Sequence, residues 1–168
     1  MTAFLAVLAP EADPVVGPLR ERWDPAAHRG LGAHITVRYP FLRLAELSTR
    51  DLEQLAAAAA SVPGFRYRLA RVSRFPATVF LDPEPAAPFA ALRAAIEGVF
   101  APRLPADRFP RYIPHLSIAR NVRRGDGVVL DALETALSGG AISAHCREVA
   151  LLERTGGPWR TRLRLPLG

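Results

Sequence analysis

Cysteine is almost absent from this sequence, and long apolar runs are absent altogether. Cys146 is the only cysteine among 168 residues, which excludes an intrachain disulfide and a thiolate cage for a metal ion. No apolar run approaches the length of a membrane span. The apolar start at 1–8 lacks the basic leader of a signal peptide and stops at Pro10. We therefore interpret it as a buried strand, and we expect a soluble, cytoplasmic protein that does not bind a membrane.

Lysine is also missing, because all 22 basic residues are arginines. The net charge of +6 favours an anionic partner such as nucleic acid, and a guanidinium suits bidentate contacts to phosphate. Arginine and alanine are both abundant, as expected from a compositional bias of the genome, so the charge alone permits RNA binding without proving it. No glycine-rich phosphate loop of either common type is present.

Helices and strands alternate along the predicted chain, which indicates an α+β fold rather than a doubly wound parallel sheet. Asp13-Pro14 predicts a capped helix start, and Ser48 with Asp51 predicts a capping box. Gly156-Gly157 predicts a closing hairpin. Predicted strands cover 1–8, 33–39, 65–72, 78–81, 113–119, 145–153 and 159–165; predicted helices begin at 13, 49 and 88, with a short fourth around 129–137, and a proline-rich loop covers 102–110. We expect residues 1–168 to form one domain of two lobes, and a monomer.

One short pattern occurs twice, as His34-Ile35-Thr36-Val37 and His115-Leu116-Ser117-Ile118. Both copies have the form histidine, apolar, hydroxyl, apolar. With 4 histidines and 13 serines and threonines in the chain, composition alone predicts about 0.3 such triplets. Both copies lie in strand-like segments in corresponding halves of the sequence. The repetition therefore indicates a shared function.

Residues two apart on a strand point to the same side, so each copy presents an imidazole and a hydroxyl on one face. If the two strands lie side by side, two imidazoles and two hydroxyls line one groove. One neutral imidazole can accept a proton from water while the other, protonated, donates one to a leaving oxygen. Thr36 and Ser117 can donate hydrogen bonds to phosphate oxygens. A single histidine of this kind is usually structural, but two matching copies favour phosphodiester cleavage without a metal or other cofactor.

These motifs resemble those of the two-histidine (2H) phosphoesterases, within them the bacterial 2′-5′ RNA ligase and RNA 2′,3′-cyclic phosphodiesterase group. Further similarity lies in 33–41, in 74–85 and in Ile113-Pro114. The resemblance implies a bilobal α+β fold with pseudo-twofold symmetry, two antiparallel-sheet lobes with outer helices, and a central cleft between the motifs. It also implies metal-independent opening of a 2′,3′-cyclic phosphate to a 2′-phosphate, and in some members joining or cleavage of 2′-5′ linkages.

Several residue roles follow from the same resemblance. Arg120 occupies the position, three residues after the second hydroxyl, where the family often carries an arginine. By analogy His115 is the general base on water and His34 the general acid, although the sequence is equally compatible with swapped roles.

Further side chains are candidate substrate contacts on sequence grounds. Arg38 shares the face of His34 by strand alternation, and is equally compatible with a solvated charge at the rim of the cleft. Tyr112, beside the proline-rich loop, is a candidate to stack on a base. Arg108 and Arg111 are candidates to follow an RNA backbone.

Three functions remain open from the sequence. The first is an enzyme on RNA ends that carry a 2′,3′-cyclic phosphate. The second is a phosphodiesterase on a free cyclic nucleotide, an ADP-ribose cyclic phosphate or a 2′-5′ oligonucleotide. The third is a non-catalytic RNA-binding module. A zinc site at His145 and Cys146 is not expected, because adjacent strand residues face opposite sides.

Overall fold

Eight strands in two antiparallel sheets and four α-helices form the structure, a computed structural model that describes residues 2–107, 111–122 and 127–168. The α+β class predicted from the sequence is confirmed. The strands are β1 (Thr2–Leu8), β2 (His34–Arg38), β3 (Phe65–Phe75), β4 (Thr78–Glu84), β5 (Leu116–Arg120), β6 (Ile142–Cys146), β7 (Glu148–Arg154) and β8 (Arg160–Pro166). The helices are α1 (Asp13–Trp23), α2 (Thr49–Ala60), α3 (Ala87–Phe100) and α4 (Gly127–Ala136).

The two sheets repeat one arrangement. The first sheet has the order β2-β1-β7-β8 and the second has the order β5-β4-β3-β6. The segments β1-α1-β2 and β4-α3-β5 correspond, and each ends in an edge strand that pairs antiparallel with the strand before its helix. Both pairings contain a register shift, at Leu5/Ala6 and at Val79/Phe80. This repeat is the pseudo-twofold relation that the family resemblance implies.

Helices α1 and α3 each pack against the opposite lobe. α1 follows β1 of the first sheet but packs against β5 of the second, while α3 follows β4 of the second sheet and packs against β2 of the first. One hydrophobic core therefore runs through both lobes, and it contains Val16, Ile35, Ile96 and Ile118, all fully buried. Within the described ranges, no helix is both long enough and apolar enough to cross a bilayer.

The faces that point away from this core differ between the sheets. On the first sheet, a second apolar cluster joins Phe4 and Leu152 to Leu31 in the connection 24–32. Trp159 N donates to Arg29 O at 2.8 Å, so this connection reaches from β2 to the far strand β8. The corresponding face of the second sheet carries exposed polar side chains on β3 instead. One outer face is thus covered by the chain itself and the other is open.

The final strands correct one prediction. The sequence predicts a single strand over 145–153, but the structure has β6 and β7 there, separated by Arg147 alone and belonging to different sheets. Residues up to Cys146 pair with β3, whereas those from Glu148 pair with β1 and β8. The hairpin through Gly156 is confirmed, and its left-handed φ of 74° explains the glycine.

Element ends differ from prediction in several further places, and β3 continues past Val72 to Phe75. β4 continues past Leu81 to Glu84, and β5 begins at Leu116 rather than at 113. Ala12, not Asp13, occupies the cap position of α1, and Asp13 Oδ1 instead accepts from Ala33 N at 2.8 Å. The predicted capping box at Ser48 is confirmed, since its hydroxyl accepts from Asp51 N at 3.2 Å. Of the proline-rich loop, 101–103 forms a 3-10 turn, and Arg108 lies outside the described residues.

Candidate active site

The two motifs lie on the edge strands at which the two sheets meet. β2 and β5 contact each other, and each is the terminal strand of its sheet. His34 and Thr36 alternate with Ile35 and Val37, which are fully buried in the main core. Ser117 lies between Leu116 and Ile118, which are also fully buried. The structure thereby brings the four predicted motif side chains to one junction between the lobes.

Both histidines are held by the same backbone contact. His34 Nδ1 lies 2.9 Å from the carbonyl oxygen of Gly32, and His115 Nδ1 lies 2.8 Å from that of Ile113. A carbonyl can only accept, so Nδ1 carries a proton in each ring and Nε2 is left as the reactive nitrogen. Each histidine bonds to the residue two positions before it, so the local chain around each motif fixes its own ring. The orientation of both rings is set before any ligand binds.

Burial keeps both imidazoles neutral in the free protein. It lowers the pKa of His34 to about 3, opposed by the Gly32 carbonyl and reinforced by the charges of Arg20 and Arg120. Burial is also the main cause that lowers the pKa of His115, opposed by its hydrogen bond to Ile113. His34 is 5% exposed. A bound phosphate would raise both pKa values, because its negative charge favours the imidazolium.

Arg120 lies within electrostatic range of both histidines. Its charge lowers the pKa of His34 and also that of His115. The Nε atom lies 3.5 Å from Asp24 Oδ1, and 40% of the side chain remains exposed. A half-exposed guanidinium that acts on two imidazoles can bind an anion placed between them. Within the described ranges, the hydroxyls of Thr36 and Ser117 hydrogen-bond no other residue, so both remain available to such an anion.

A buried ion pair beneath the second motif was not foreseen from the sequence. Arg20 and Asp24 are 2% and 0% exposed, and Arg20 Nη2 lies 2.9 Å from Asp24 Oδ2. Arg20 Nε donates to the carbonyl oxygen of Ser117 at 3.2 Å, and Asp24 Oδ1 accepts from Ala26 N at 3.0 Å. The pair thus links α1 to the motif strand of the other lobe. Its i, i+4 spacing on α1 is a detectable signal, but that spacing is usual for exposed pairs as well.

Known proteins share sequence and fold features with this chain. The family model of the 2′-5′ RNA ligase superfamily matches residues 8–158. The chain belongs to this superfamily. A comparison with curated protein sequences finds no match.

Solved structures of other proteins share the fold. LigT of E. coli, in complex with 3′-AMP, is 19% identical with a TM-score of 0.64, and the alignment covers 99% of this chain and 97% of LigT. The protein TT0787 of Thermus thermophilus is 21% identical with a TM-score of 0.57, over 99% of this chain and 97% of that protein. The predicted bilobal α+β architecture is therefore confirmed.

Two of the candidate substrate contacts in this superfamily member have other partners. Arg38 is 3% exposed, so the alternative of a solvated rim charge is wrong. Its Nε forms an ion pair with Glu97 Oε1 at 2.9 Å, without the alignment of a hydrogen bond, and its Nη atoms donate to the carbonyls of Tyr39 and Pro105. Tyr112 donates its hydroxyl to the carbonyl of Thr36 at 2.9 Å, and Arg93 covers its ring with a centroid distance of 4.7 Å. Both side chains hold protein segments around the site.

Aromatic rings adjoin each histidine. The ring of Phe4 lies 5.7 Å from that of His34, and those of Phe75 and Phe80 each lie 5.1 Å from that of His115. These rings explain why burial dominates the pKa of both imidazoles. Two cavities of about 430 and 480 Å³ are both bordered by Glu11, His145 and Arg147; neither is lined by His34 or His115, although the smaller reaches Gly32 and Ala33 beside His34.

No metal centre is assembled by the described part of the chain, where no group of three or more metal-binding side chains is found. His145 Nδ1 accepts from Arg147 Nε at 3.0 Å. Cys146 is buried, and burial raises the pKa of its thiol to about 12. His28 is exposed and contacts the carbonyl of Glu21.

Proposed function

We propose that this protein is a metal-independent RNA 2′,3′-cyclic phosphodiesterase that opens the cyclic phosphate to a 2′-phosphate. The observation that best supports this proposal is the matched pair of imidazoles, each with Nδ1 bound to a carbonyl and Nε2 available for proton transfer. A site that only binds RNA needs cationic and aromatic groups, but it does not need two oriented, neutral imidazoles. The superfamily match supports a phosphoesterase or ligase.

The reaction is an in-line displacement at phosphorus. Water attacks the phosphorus opposite the 3′ oxygen, and one neutral imidazole accepts its proton. The bond between phosphorus and the 3′ oxygen breaks, and its electron pair stays on that oxygen, which receives the Nε2 proton of the second ring in its imidazolium form. A 2′-phosphate monoester and a 3′-hydroxyl result. Thr36, Ser117 and Arg120 bind the non-bridging oxygens as their negative charge increases.

The electrostatics of the site favour His34 as the base and His115 as the acid, the reverse of the roles inferred by analogy. The general acid must be protonated when the substrate is bound. Burial depresses the pKa of His34 to about 3, and its neighbours Arg20 and Arg120 add to that depression. The pKa of His115 is shifted less; a carboxylate favours the protonated form of each ring, Asp82 for His115 and Asp24 for His34, but only His34 has a second arginine, Arg20, that opposes it. A bound phosphate therefore protonates His115 more readily.

The first experiment is an assay in the presence of EDTA with an oligoribonucleotide that ends in a 2′,3′-cyclic phosphate. We expect a 2′-phosphate product, and a loss of about 10²- to 10⁴-fold in kcat for His34→Ala and for His115→Ala. The matched control is His28→Ala, since His28 is an exposed histidine outside the site. Turnover that EDTA abolishes would refute a metal-independent reaction. Unchanged turnover in either motif variant would refute its catalytic role.

An activated substrate separates the acid from the base. A phosphodiester with a p-nitrophenolate leaving group needs no protonation of that group, so a variant without the general acid should retain its activity. We expect His115→Ala to lose far less activity on this substrate than on the cyclic phosphate, and His34→Ala to lose activity on both. The opposite pattern would establish the roles inferred by analogy.

The same site can join RNA ends if a 5′-hydroxyl replaces water as the nucleophile. Its oxygen would attack phosphorus and displace the 3′ oxygen, which yields a 2′-5′ linkage. Adding an RNA with a 5′-hydroxyl to the assay tests for this product. Parallel assays with free 2′,3′-cyclic nucleotides and ADP-ribose cyclic phosphate test the smaller substrates. Faster turnover of those compounds than of the RNA would overturn the RNA assignment.

A further inference from the structure

The open face of the second sheet continues outward from His115 and Ser117. Directly paired residues of antiparallel strands lie on the same face. Ser117 pairs with Phe80, and Phe80 pairs with Ser73. Across the register shift in β3, Arg68 pairs with Glu84 on one side and with Ser143 on the other. We call this surface the arginine face; it consists of Arg66, Arg68, Arg71, Ser73, Phe75, Phe80, Asp82, Glu84, Ser143 and His145.

Charge on the arginine face increases with distance from the histidines. Near His115, the charge of Arg71 is balanced by Asp82, whose carboxylate lies 2.8 Å from Arg71 Nε. Farther out, Arg66 and Arg68 are exposed and form no ion pair with any residue in the described ranges. Glu84 lies opposite Arg68 in the register without forming an ion pair with it. Two unpaired guanidinium groups are therefore presented to solvent on the same side as the catalytic groups.

The outer strands lie at a distance that suits a continuing nucleic-acid strand. Neighbouring strands are about 4.8 Å apart, so β3 lies roughly 10 Å and β6 roughly 14 Å from β5. A stacked single strand carries one phosphate per about 3.4 Å, which places three or four phosphates over this distance. A cavity of about 480 Å³ lies at the outer end; the arginines that border it are Arg66, Arg68 and Arg147, and its carboxylates are Glu11 and Glu84. Phe75, half-buried beside His115, provides an aromatic ring at the inner end.

The first sheet does not offer an equivalent surface. Its outer face is occupied by the apolar cluster that includes Phe4, Leu31 and Leu152, under the connection 24–32. We propose that the RNA strand on the 5′ side of the cyclic phosphate binds along the arginine face, with Arg66 and Arg68 in contact with its phosphates. This inference rests on the proposed function, because a cyclic phosphate at the 3′ end leaves only the 5′ direction for the chain.

The test compares substrates of different length. Cyclic-phosphate oligonucleotides of two and of eight residues are assayed with the native protein, with Arg66→Gln/Arg68→Gln, and with the control Arg50→Gln/Arg160→Gln. The control removes the same charge from exposed positions on α2 and on β8, the strand of its sheet farthest from β2. We expect KM to fall with length in the native protein. In the test variant, KM for the eight-residue substrate should rise about tenfold and that for the dinucleotide less than about twofold.

Binding gives a second readout that does not depend on turnover. Fluorescence anisotropy with an eight-residue RNA that ends in a 3′-phosphate measures affinity against salt concentration. Loss of two phosphate contacts should reduce the slope of log K against log salt by about 1.4. Equal effects in the test and control variants, or a KM independent of length in the native protein, would overturn the inference. Absent turnover with a slope that still decreases would instead refute the proposed reaction and leave the binding surface supported.

Discussion

The hydroxyl of Tyr112 is hydrogen-bonded to the main-chain carbonyl of Thr36 over 2.9 Å. A residue three positions before the second histidine therefore holds the strand of the first motif. The reciprocal contact is that of Arg20, on the helix before the first motif, with the carbonyl of Ser117. Edge strands leave such carbonyls without a partner strand. Each lobe thus donates a side-chain hydrogen bond to the edge strand of the other lobe, at the carbonyl of the motif residue that carries the hydroxyl.

Tyr112→Phe tests the first of these contacts. It removes one hydrogen bond to a carbonyl, so we expect a loss of about 1 kcal/mol in the free energy of unfolding. We also expect kcat to fall more than KM rises, because the bond orients Thr36 rather than touching substrate. Urea denaturation and steady-state kinetics measure both. The control is Tyr39→Phe, since Tyr39 is 39% exposed; equal effects of the two substitutions would contradict this role.

Arg20→Met tests the buried ion pair. Removing Arg20 leaves Asp24, which is fully buried, without its closest cation, and such a loss typically costs about 3–5 kcal/mol of stability. Arg20→Met/Asp24→Asn should recover part of this loss, because neither charge is then left unpaired. Chemical denaturation of Arg20→Met, Asp24→Asn and the double variant gives the three free energies of unfolding to compare. Additive losses would show that the two residues act independently.

Arg120→Gln should shift the dependence of kcat/KM on pH. The charge of Arg120 lowers the pKa of both His34 and His115, so its removal raises both pKa values. The acid and the alkaline limbs of the profile should then both move to higher pH, in addition to any loss of phosphate binding. Arg160→Gln, which removes an exposed arginine on β8, the strand of its sheet farthest from β2, serves as the control. A reduced rate with an unmoved profile would restrict Arg120 to binding.

The stability of the protein should rise with pH over the range set by His34. Its pKa in the fold is about 3, below the ordinary value of 6.5. Between these values the unfolded chain binds more protons than the native state, so the free energy of unfolding increases with pH. The lowered pKa of His115 contributes with the same sign. In His34→Gln the increase should be smaller, as measured by urea denaturation between about pH 4 and 7; an unchanged slope would contradict a buried, neutral His34.

Cys146 should be unreactive in the native protein. Its side chain is 1% exposed, and burial raises the pKa of the thiol to about 12, so very little thiolate forms near neutral pH. We expect no reaction with a chromogenic disulfide reagent at about pH 8 until urea unfolds the chain, and one thiol per chain thereafter. Full activity of Cys146→Ala would exclude this cysteine as a catalytic nucleophile. Rapid labelling of the native protein would contradict it.

The sequence predicts the motifs well because both depend on local rules. Alternation along a strand puts His34 with Thr36 and buries Ile35, and the capping box at Ser48 is a contact over three residues. Arg38 and Asp24 show the limit of such rules. A charged residue is usually exposed, and only the fold reveals that Arg38 lies opposite Glu97 and that the pair of Asp24 with Arg20 is buried.

The division between β6 and β7 shows the same limit in the backbone. The segment 142–154 contains no glycine, proline or turn signal, and its apolar positions are interrupted at this point only by Arg147 and Glu148, so local rules predict one strand. The change of partner strand is decided by pairing with β3 and β1, which are distant in sequence. The arginines of β3 are equally ambiguous, because alternation predicts that they are exposed but not that they share a face with His115.

The single-residue link at Arg147 also bears on how the two sheets can move relative to each other. The two sheets are joined by this single residue and by the longer connection 39–64, while α1 and α3 each pack against the opposite lobe. These contacts across the junction oppose wide hinge closure over a substrate. For the proposed reaction we therefore expect the substrate to adapt to the groove, so that a flexible single-stranded RNA end is turned over faster than a base-paired end.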